Sequence, residues 1–177
     1  ESLFGPFLLK MSTIDGVNAG YLARPEIVMV DHKIKPTSPL RKSDYDYEYS
    51  RYIVENEERN DLICSILKES YDAGERAVVF VIRLDHAQLI IDKLVALGID
   101  PNEISYVNGQ ISKEERKAAL FSFKSNDAKI IIGTVLKEGL NFQCDIGINA
   151  AAGVSDRAAI QCLGRILRKA RDPILND

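Results

Sequence analysis

The sequence predicts an α/β domain with a mostly parallel sheet and helices on both faces. Apolar, β-branched runs alternate with segments of helical periodicity through most of the chain, and this alternation produces right-handed crossovers between parallel strands. A chain of 177 residues is long enough to bury the core of one such domain. Its hydrophobic fraction of 46% and charged fraction of 28% are ordinary for a globular protein.

The beginning of the chain predicts an arm that leads into the domain. Residues 1–24 indicate an irregular arm with a short helix, which Ser12 or Thr13 would cap and glycines would end. Residues 26–31 are rich in β-branched side chains and predict the first strand. We therefore divide the chain into an arm over 1–24 and a domain over 25–177.

A basic loop and two helices are predicted next. Residues 32–43 contain two prolines and predict a solvated loop. The segment after it is interpreted as a helix whose tyrosines either pack on the body or stack on bases, and packing is favoured. These tyrosines are Tyr45, Tyr47, Tyr49 and Tyr52. Residues 57–71 predict a longer helix, because apolar side chains recur there at helical spacing.

The remaining strands and helices alternate regularly. Two helices are predicted between the strands, one capped by Asp85 and one opened by a Ser112–Glu115 capping box. The packing side of the second helix is predicted to contain Ala118, Leu120, Phe121 and Phe123. The predicted strands are 77–82, 104–107, 129–134 and 145–152.

Polar segments follow the predicted strands, and the carboxyl ends of parallel strands share one edge, where ligands bind. This edge is predicted to carry Arg83, Asn108–Gly109, Thr134 to Asn141, and Ala150 to Ser155. Beyond it, Arg165 and Arg168 lie three residues apart and so share a helix face. Such a pair suits a polyanion because each guanidinium forks onto two phosphate oxygens, although salt bridges to local acids would also satisfy it.

Two stretches resemble conserved motifs of one family. GTVLKEGLNF (133–142) resembles motif V of the superfamily-two helicases, and QCLGRILR (161–168) resembles their motif VI. The LFGP and GYLARPEI segments near the start resemble the XPB/UvsW-like subgroup. The resemblance implies a RecA-like three-layer α/β/α fold and the C-terminal motor lobe of an ATP-dependent DNA helicase or translocase, with DNA repair as an expected setting.

The resemblance also implies roles for particular residues. Arg168 is expected to be the arginine finger, with Arg165 bracing the phosphates as the second catalytic residue. The expected nucleotide contacts are Gln161, Glu138, Gly139, Asn141, Arg165 and Arg168, and Asn141 stands where the family most often has Asp. The expected nucleic-acid contacts are Arg83, His86, Gly109 and Thr134. For His86 the alternative is a helix-start residue with no ligand, and for Thr134 it is a helix cap.

Half of an ATPase site is missing from this sequence. It contains neither a phosphate-binding Gly-Lys-Ser/Thr loop nor an Asp-Glu-x-Asp/His metal motif. The resemblance therefore implies that ATP with magnesium is held mainly by an N-terminal RecA-like lobe of the same polypeptide. The isolated chain is expected not to hydrolyse ATP. The expected partner is DNA, single-stranded or branched, with RNA as the alternative.

Charge and cysteine content constrain the setting. A net charge of −3 argues mildly against a dedicated nucleic-acid-binding domain, yet residues 157–171 contain five basic side chains that would make a local basic edge. The three cysteines lack metal-ligand spacing and indicate buried or half-buried thiols in a reducing compartment. The expected location is the cytoplasm, in association with the nucleoid if the source is prokaryotic. No long apolar run or leader is visible, and the first residue, Glu1, suggests a fragment.

Two alternatives stay open at this point. One is a related ATP-dependent motor that remodels nucleic-acid complexes or serves restriction without separating strands. The other is a non-enzymatic Rossmann-like binding domain whose arginine pair only makes salt bridges.

Overall fold

The computed structural model describes residues 12–30, 45–134, 136 and 143–151. In these ranges four strands form a sheet with the order β2-β3-β1-β4, and every pairing is parallel. The strands are β1 (Ala77–Phe80), β2 (Ile104–Val107), β3 (Ile130–Gly133) and β4 (Ile146–Asn149). The four apolar runs after residue 76 are thereby confirmed as strands.

Helices cover both faces of the sheet, which confirms the predicted fold class. On one face α3 and α4 pack through side chains such as Leu67 and Ile90, while on the other α5 packs through Phe123. Because β1 and β3 are covered on both sides, all four residues of each are buried. The helices are α1 (Thr13–Asn18), α2 (Tyr45–Tyr49), a π-helical turn (Ser50–Val54), α3 (Glu57–Asp72), α4 (Leu84–Ala96), a 3₁₀ turn (Pro101–Glu103) and α5 (Lys113–Ser125).

Side chains at the helix ends explain where the helices begin. Ser112 and Glu115 form the predicted capping box, in which the Glu115 amide donates to Ser112 Oγ at 3.1 Å. Ser12 caps α1 in the same way with Asp15. Asp85 does not cap α4: the cap position is Arg83, and Asp85 lies in the first turn, where Oδ1 accepts the His86 amide at 2.9 Å.

Two further predictions about local structure are wrong within the described residues. Residues 26–30 are exposed and lie in no strand, since β-branched side chains favour an extended backbone but a strand also needs a hydrogen-bonded partner. Phe121 is 69% exposed and Ala118 is also exposed, whereas Ala119 packs against the core beside Leu120 and Phe123. The predicted loop over 32–43 and the predicted arginine helix lie outside the described residues.

Both described cysteines are poorly placed for reaction. Burial raises the pKa of Cys64 to about 11 and that of the half-buried Cys144 to about 12, so both thiols stay protonated at neutral pH. Cys162 lies outside the described residues. None of the helices in the described part of the chain is long and apolar enough to cross a membrane.

Candidate nucleic-acid and nucleotide interface

The carboxyl ends of the strands meet at one edge, joined by a stepwise series of hydrogen bonds. The Thr134 amide donates to the Val107 carbonyl at 3.1 Å, which ties the end of β3 to the end of β2. The Val81 amide donates to Gly133 O at 3.2 Å, and the Ala150 amide donates to Phe80 O at 2.9 Å. The residues that follow β2, β3, β1 and β4 therefore emerge side by side.

Thr134 owes its position to the glycine before it. A Cβ on Gly133 would lie 2.4 Å from the Val107 carbonyl oxygen and 2.8 Å from Leu136 Cγ, closer than any side chain tolerates. Only glycine lets β3 pack this tightly against the end of β2. Thr134 follows at the edge and is half-buried.

A turn held by side-chain hydrogen bonds places Gly109 on the same edge. The side-chain oxygen of the buried Asn108 accepts the amides of Gln110 at 2.8 Å and Ile111 at 3.1 Å. Arg116 donates from Nη2 to the Asn108 carbonyl at 3.3 Å. Gly109 is exposed at the tip of this turn, so backbone groups of a ligand can approach it without meeting a side chain.

Arg83 reaches the edge from the end of β1, but other groups already hold it. Its Nη1 donates to Ser50 Oγ at 2.6 Å and to the Asp46 carbonyl at 3.3 Å, and its Nε lies 3.8 Å from Asp85 Oδ1. The side chain is still 34% exposed. A guanidinium carries five N–H donors, so these contacts use only part of its capacity.

His86 lies in the core beneath this edge. Its ring is fully buried, and Nε2 lies 3.0 Å from Asn60 Oδ1, while Asn60 Nδ2 donates to the Val54 carbonyl at 2.7 Å. Among the described residues Nδ1 has no hydrogen-bond partner. Burial, helped by the positive charge of Arg59, lowers the pKa of His86 to about 4. His86 thus joins α4 to α3, and in the described structure none of its ring atoms is exposed to a bound nucleic-acid strand.

Two further residues at this edge were not predicted from sequence. Arg59 donates from Nη2 to the Ala150 carbonyl at 2.7 Å, and the Tyr49 hydroxyl donates to the Ala151 carbonyl. The sequence signal near Arg59 comes from its neighbour Asn60. Asn60 shares a helical face with Ile63 and Leu67, which predicts a buried polar residue at that position. Nothing in the sequence distinguishes Tyr49 from the other tyrosines of its segment.

The residues predicted to contact the nucleotide lie outside the described part of the chain: Glu138, Gly139, Asn141, Gln161, Arg165 and Arg168. Within the described ranges no group of three His, Cys, Asp or Glu side chains is arranged to hold a metal ion.

Comparison with known proteins gives consistent matches. The helicase conserved C-terminal domain matches residues 58–170, more than half of the chain. The ATP-dependent rRNA helicase RRP3 of Candida albicans is 29% identical over 126 residues, which cover 69% of this chain and 22% of that protein. The chain therefore spans about a fifth of the length of this relative.

Solved structures show the same fold. The helicase MrfA bound to DNA and AMPPNP has a TM-score of 0.56 and 20% identity, over 62% of this chain and 16% of that one. T4 UvsW has a TM-score of 0.54 and 22% identity, over 68% of this chain and 24% of that one. Together, the parallel sheet with helices on both faces and the domain match identify the chain as a RecA-like α/β protein that belongs to the helicase conserved C-terminal domain family.

Proposed function

We propose that the chain is the C-terminal motor lobe of an ATP-dependent helicase or translocase. The observation that carries this proposal is the extent of the domain match. It runs from residue 58 to residue 170 and so includes the Glu138–Asn141 segment and the Arg165–Arg168 pair. The parallel sheet supports it as well, because the carboxyl ends of its strands lie at one edge, where ligands of such sheets bind.

Arg168 is proposed as the arginine finger toward ATP held by a second lobe. Negative charge spreads over the γ-phosphate oxygens during phosphoryl transfer, and an inserted guanidinium stabilises it. Arg165 braces the phosphates and Gln161 contacts the nucleotide beside them. Glu138, Gly139 and Asn141 contact the nucleotide in this proposal, and Asn141 supplies an amide hydrogen bond and no charge. Magnesium is held mainly by the second lobe.

The nucleic-acid track is proposed to run along the described edge, past Gly109, Thr134 and Arg83. Thr134 offers a hydroxyl, Gly109 an open backbone and Arg83 a partly exposed cation, which are groups that bind a phosphate backbone without reading bases. We propose DNA as the substrate, on the resemblance to the XPB/UvsW-like subgroup. The rRNA helicase relative favours RNA as the second candidate. We also propose a cytoplasmic setting, associated with the nucleoid if the source is prokaryotic.

The experiment that tests this function is a phosphate-release assay on two proteins. The 177-residue chain with ATP and magnesium is expected to show no turnover. A polypeptide that joins it to an N-terminal RecA-like lobe is expected to hydrolyse ATP, and Arg168→Ala should lower kcat by roughly 10³- to 10⁵-fold. The matched control is Arg171→Ala, which removes a cation three residues after Arg168. Turnover by the pure chain that Arg168→Ala abolishes would contradict the proposed division of labour.

A further inference from the structure

The end of β4 is held differently from the ends of the other three strands. The backbone at each of the ends of β2, β3 and β1 accepts an amide from the next strand in the sheet, as described above. In the described part of the sheet β4 is the edge strand, so no further strand supplies amides to its last carbonyls. Side chains do so instead: Arg59 donates to Ala150 O at 2.7 Å, and Tyr49 donates to Ala151 O.

These two donors come from a rigid, buried support. Tyr49 is 7% exposed and Ala150 is fully buried, so the carbonyls they satisfy have little water available as an alternative partner. Arg59 also donates from Nη1 to the Ile53 carbonyl at 3.4 Å, which ties the π-helical turn to the same guanidinium. Desolvation lowers the pKa of Arg59, a sign that this cation is held inside the protein rather than in solvent.

We propose that Tyr49 and Arg59 are positioning residues that fix the carboxyl end of β4 at the carbonyls of Ala150 and Ala151. In sequence the chain continues from Ala151 to Gln161, Arg165 and Arg168. The functional consequence therefore rests on the function proposed above. A strand end held at two successive carbonyls as well as at the Ala150 amide has less freedom to move than one held by the amide alone.

Local amide hydrogen exchange of the 177-residue chain tests the proposal. In Tyr49→Phe and Arg59→Lys, exchange of the Ala150 and Ala151 amides should become about 2- to 10-fold faster, the factor expected from losing one net hydrogen bond. Exchange in β2 and β3 should stay at the wild-type rate. Tyr47→Phe and Arg51→Lys, which change exposed side chains of the same segment, are the matched controls and should leave the exchange of these two amides unchanged.

Two outcomes would overturn the positioning role. One is unchanged exchange of the Ala150 and Ala151 amides in both folded variants. The other is equal acceleration throughout the sheet, which would assign Tyr49 and Arg59 to general stability.

In the two-lobe polypeptide Tyr49→Phe should lower kcat while leaving the Kd for single-stranded oligonucleotide unchanged, and an unchanged kcat would remove the catalytic consequence. Loss of the proposed function would show separately, as wild-type kcat in Arg168→Ala, because the exchange measurement needs neither ATP nor nucleic acid.

Discussion

His86 links the stability of the fold to pH, because charging its buried imidazole is costly. Nε2 faces Asn60 Oδ1 and so carries the proton, while Nδ1, without a partner among the described residues, would have to accept a second proton in the core. Its pKa is lowered to about 4, chiefly by burial and then by Arg59, with Asp85 opposing weakly. A lowered pKa means that the unfolded state binds the proton first as the pH falls, so stability is complete above about pH 6.5 and declines toward pH 4.

We therefore predict that the free energy of unfolding attributable to His86 falls by about 2 kcal/mol between pH 7.5 and pH 5. Urea denaturation at the two pH values measures it, and His86→Gln, which cannot titrate, should lose this part of the pH dependence. An imidazole that titrates near pH 6.5 in an NMR experiment on the folded chain would show that the ring is not buried as described.

Gly133→Ala tests the close approach of β3 to β2. The new Cβ would overlap the Val107 carbonyl oxygen at 2.4 Å, and a backbone atom cannot yield as a flexible side chain can. We expect a loss of roughly 1–3 kcal/mol of stability, in the range for overpacked sites. Gly147→Ala, on the exposed face of β4, is the control and should be neutral or stabilising. Equal stability of Gly133→Ala and wild type would contradict this packing.

At the scale of elements, the start of α5 depends on one hydroxyl. Ser112 Oγ accepts the Glu115 amide, and the Ser112 amide donates to Glu115 Oε2 at 2.8 Å, so two amides of the first turn are satisfied together. Ser112→Ala should cost about 0.5–2 kcal/mol in chemical denaturation. Ser112→Asp keeps an acceptor at the cap and should restore most of this stability. If both variants lost the same amount, the cap would not be what fixes this helix end.

The elements that sequence predicted correctly carry their signal within a few residues. The run Ile130–Ile132 is apolar at every position because β3 is buried on both faces, and the Ser112–Glu115 spacing is a local hydrogen-bond pattern. The errors are of another kind. Residues 26–30 have the composition of a strand, but strand formation also depends on a partner elsewhere in the chain. Phe121 looks like a core residue, but the face of α5 that meets the sheet is set by Leu120 and Phe123.

The same distinction applies to the candidate site. Topology follows from the alternation of strands and helices, so the placement of Gly109, Thr134 and Arg83 after strand ends could be predicted. The orientation of His86 could not, because it depends on Asn60 in a different helix. The contacts of Tyr49 with Ala151 join residues 102 positions apart, and no local pattern encodes such a pair.

At the scale of the whole molecule, charge at the strand ends should decide how the chain binds nucleic acid. Arg83 is a partly exposed cation at the carboxyl edge, whereas Arg76 precedes β1 at the opposite edge and stacks over Phe123 at 5.6 Å. Arg83→Ala and Arg76→Ala each remove one positive charge from a chain of net charge −3. If binding were governed by overall charge, the two variants would weaken it equally.

We expect unequal effects in fluorescence anisotropy with a labelled oligodeoxythymidine measured from low to moderate salt. Each phosphate neutralised on a single strand contributes about 0.7 to the slope of log K against log salt, so Arg83→Ala should reduce the slope by about that amount and Arg76→Ala should not. Arg83 stands at the cap position of α4, but its side chain makes no capping hydrogen bond to the helix, so its loss should not unfold α4. Oligodeoxyadenosine should bind with similar affinity, because backbone contacts do not read bases. Equal slopes in the two variants, or a strong preference for one base, would place the nucleic-acid track elsewhere on the molecule.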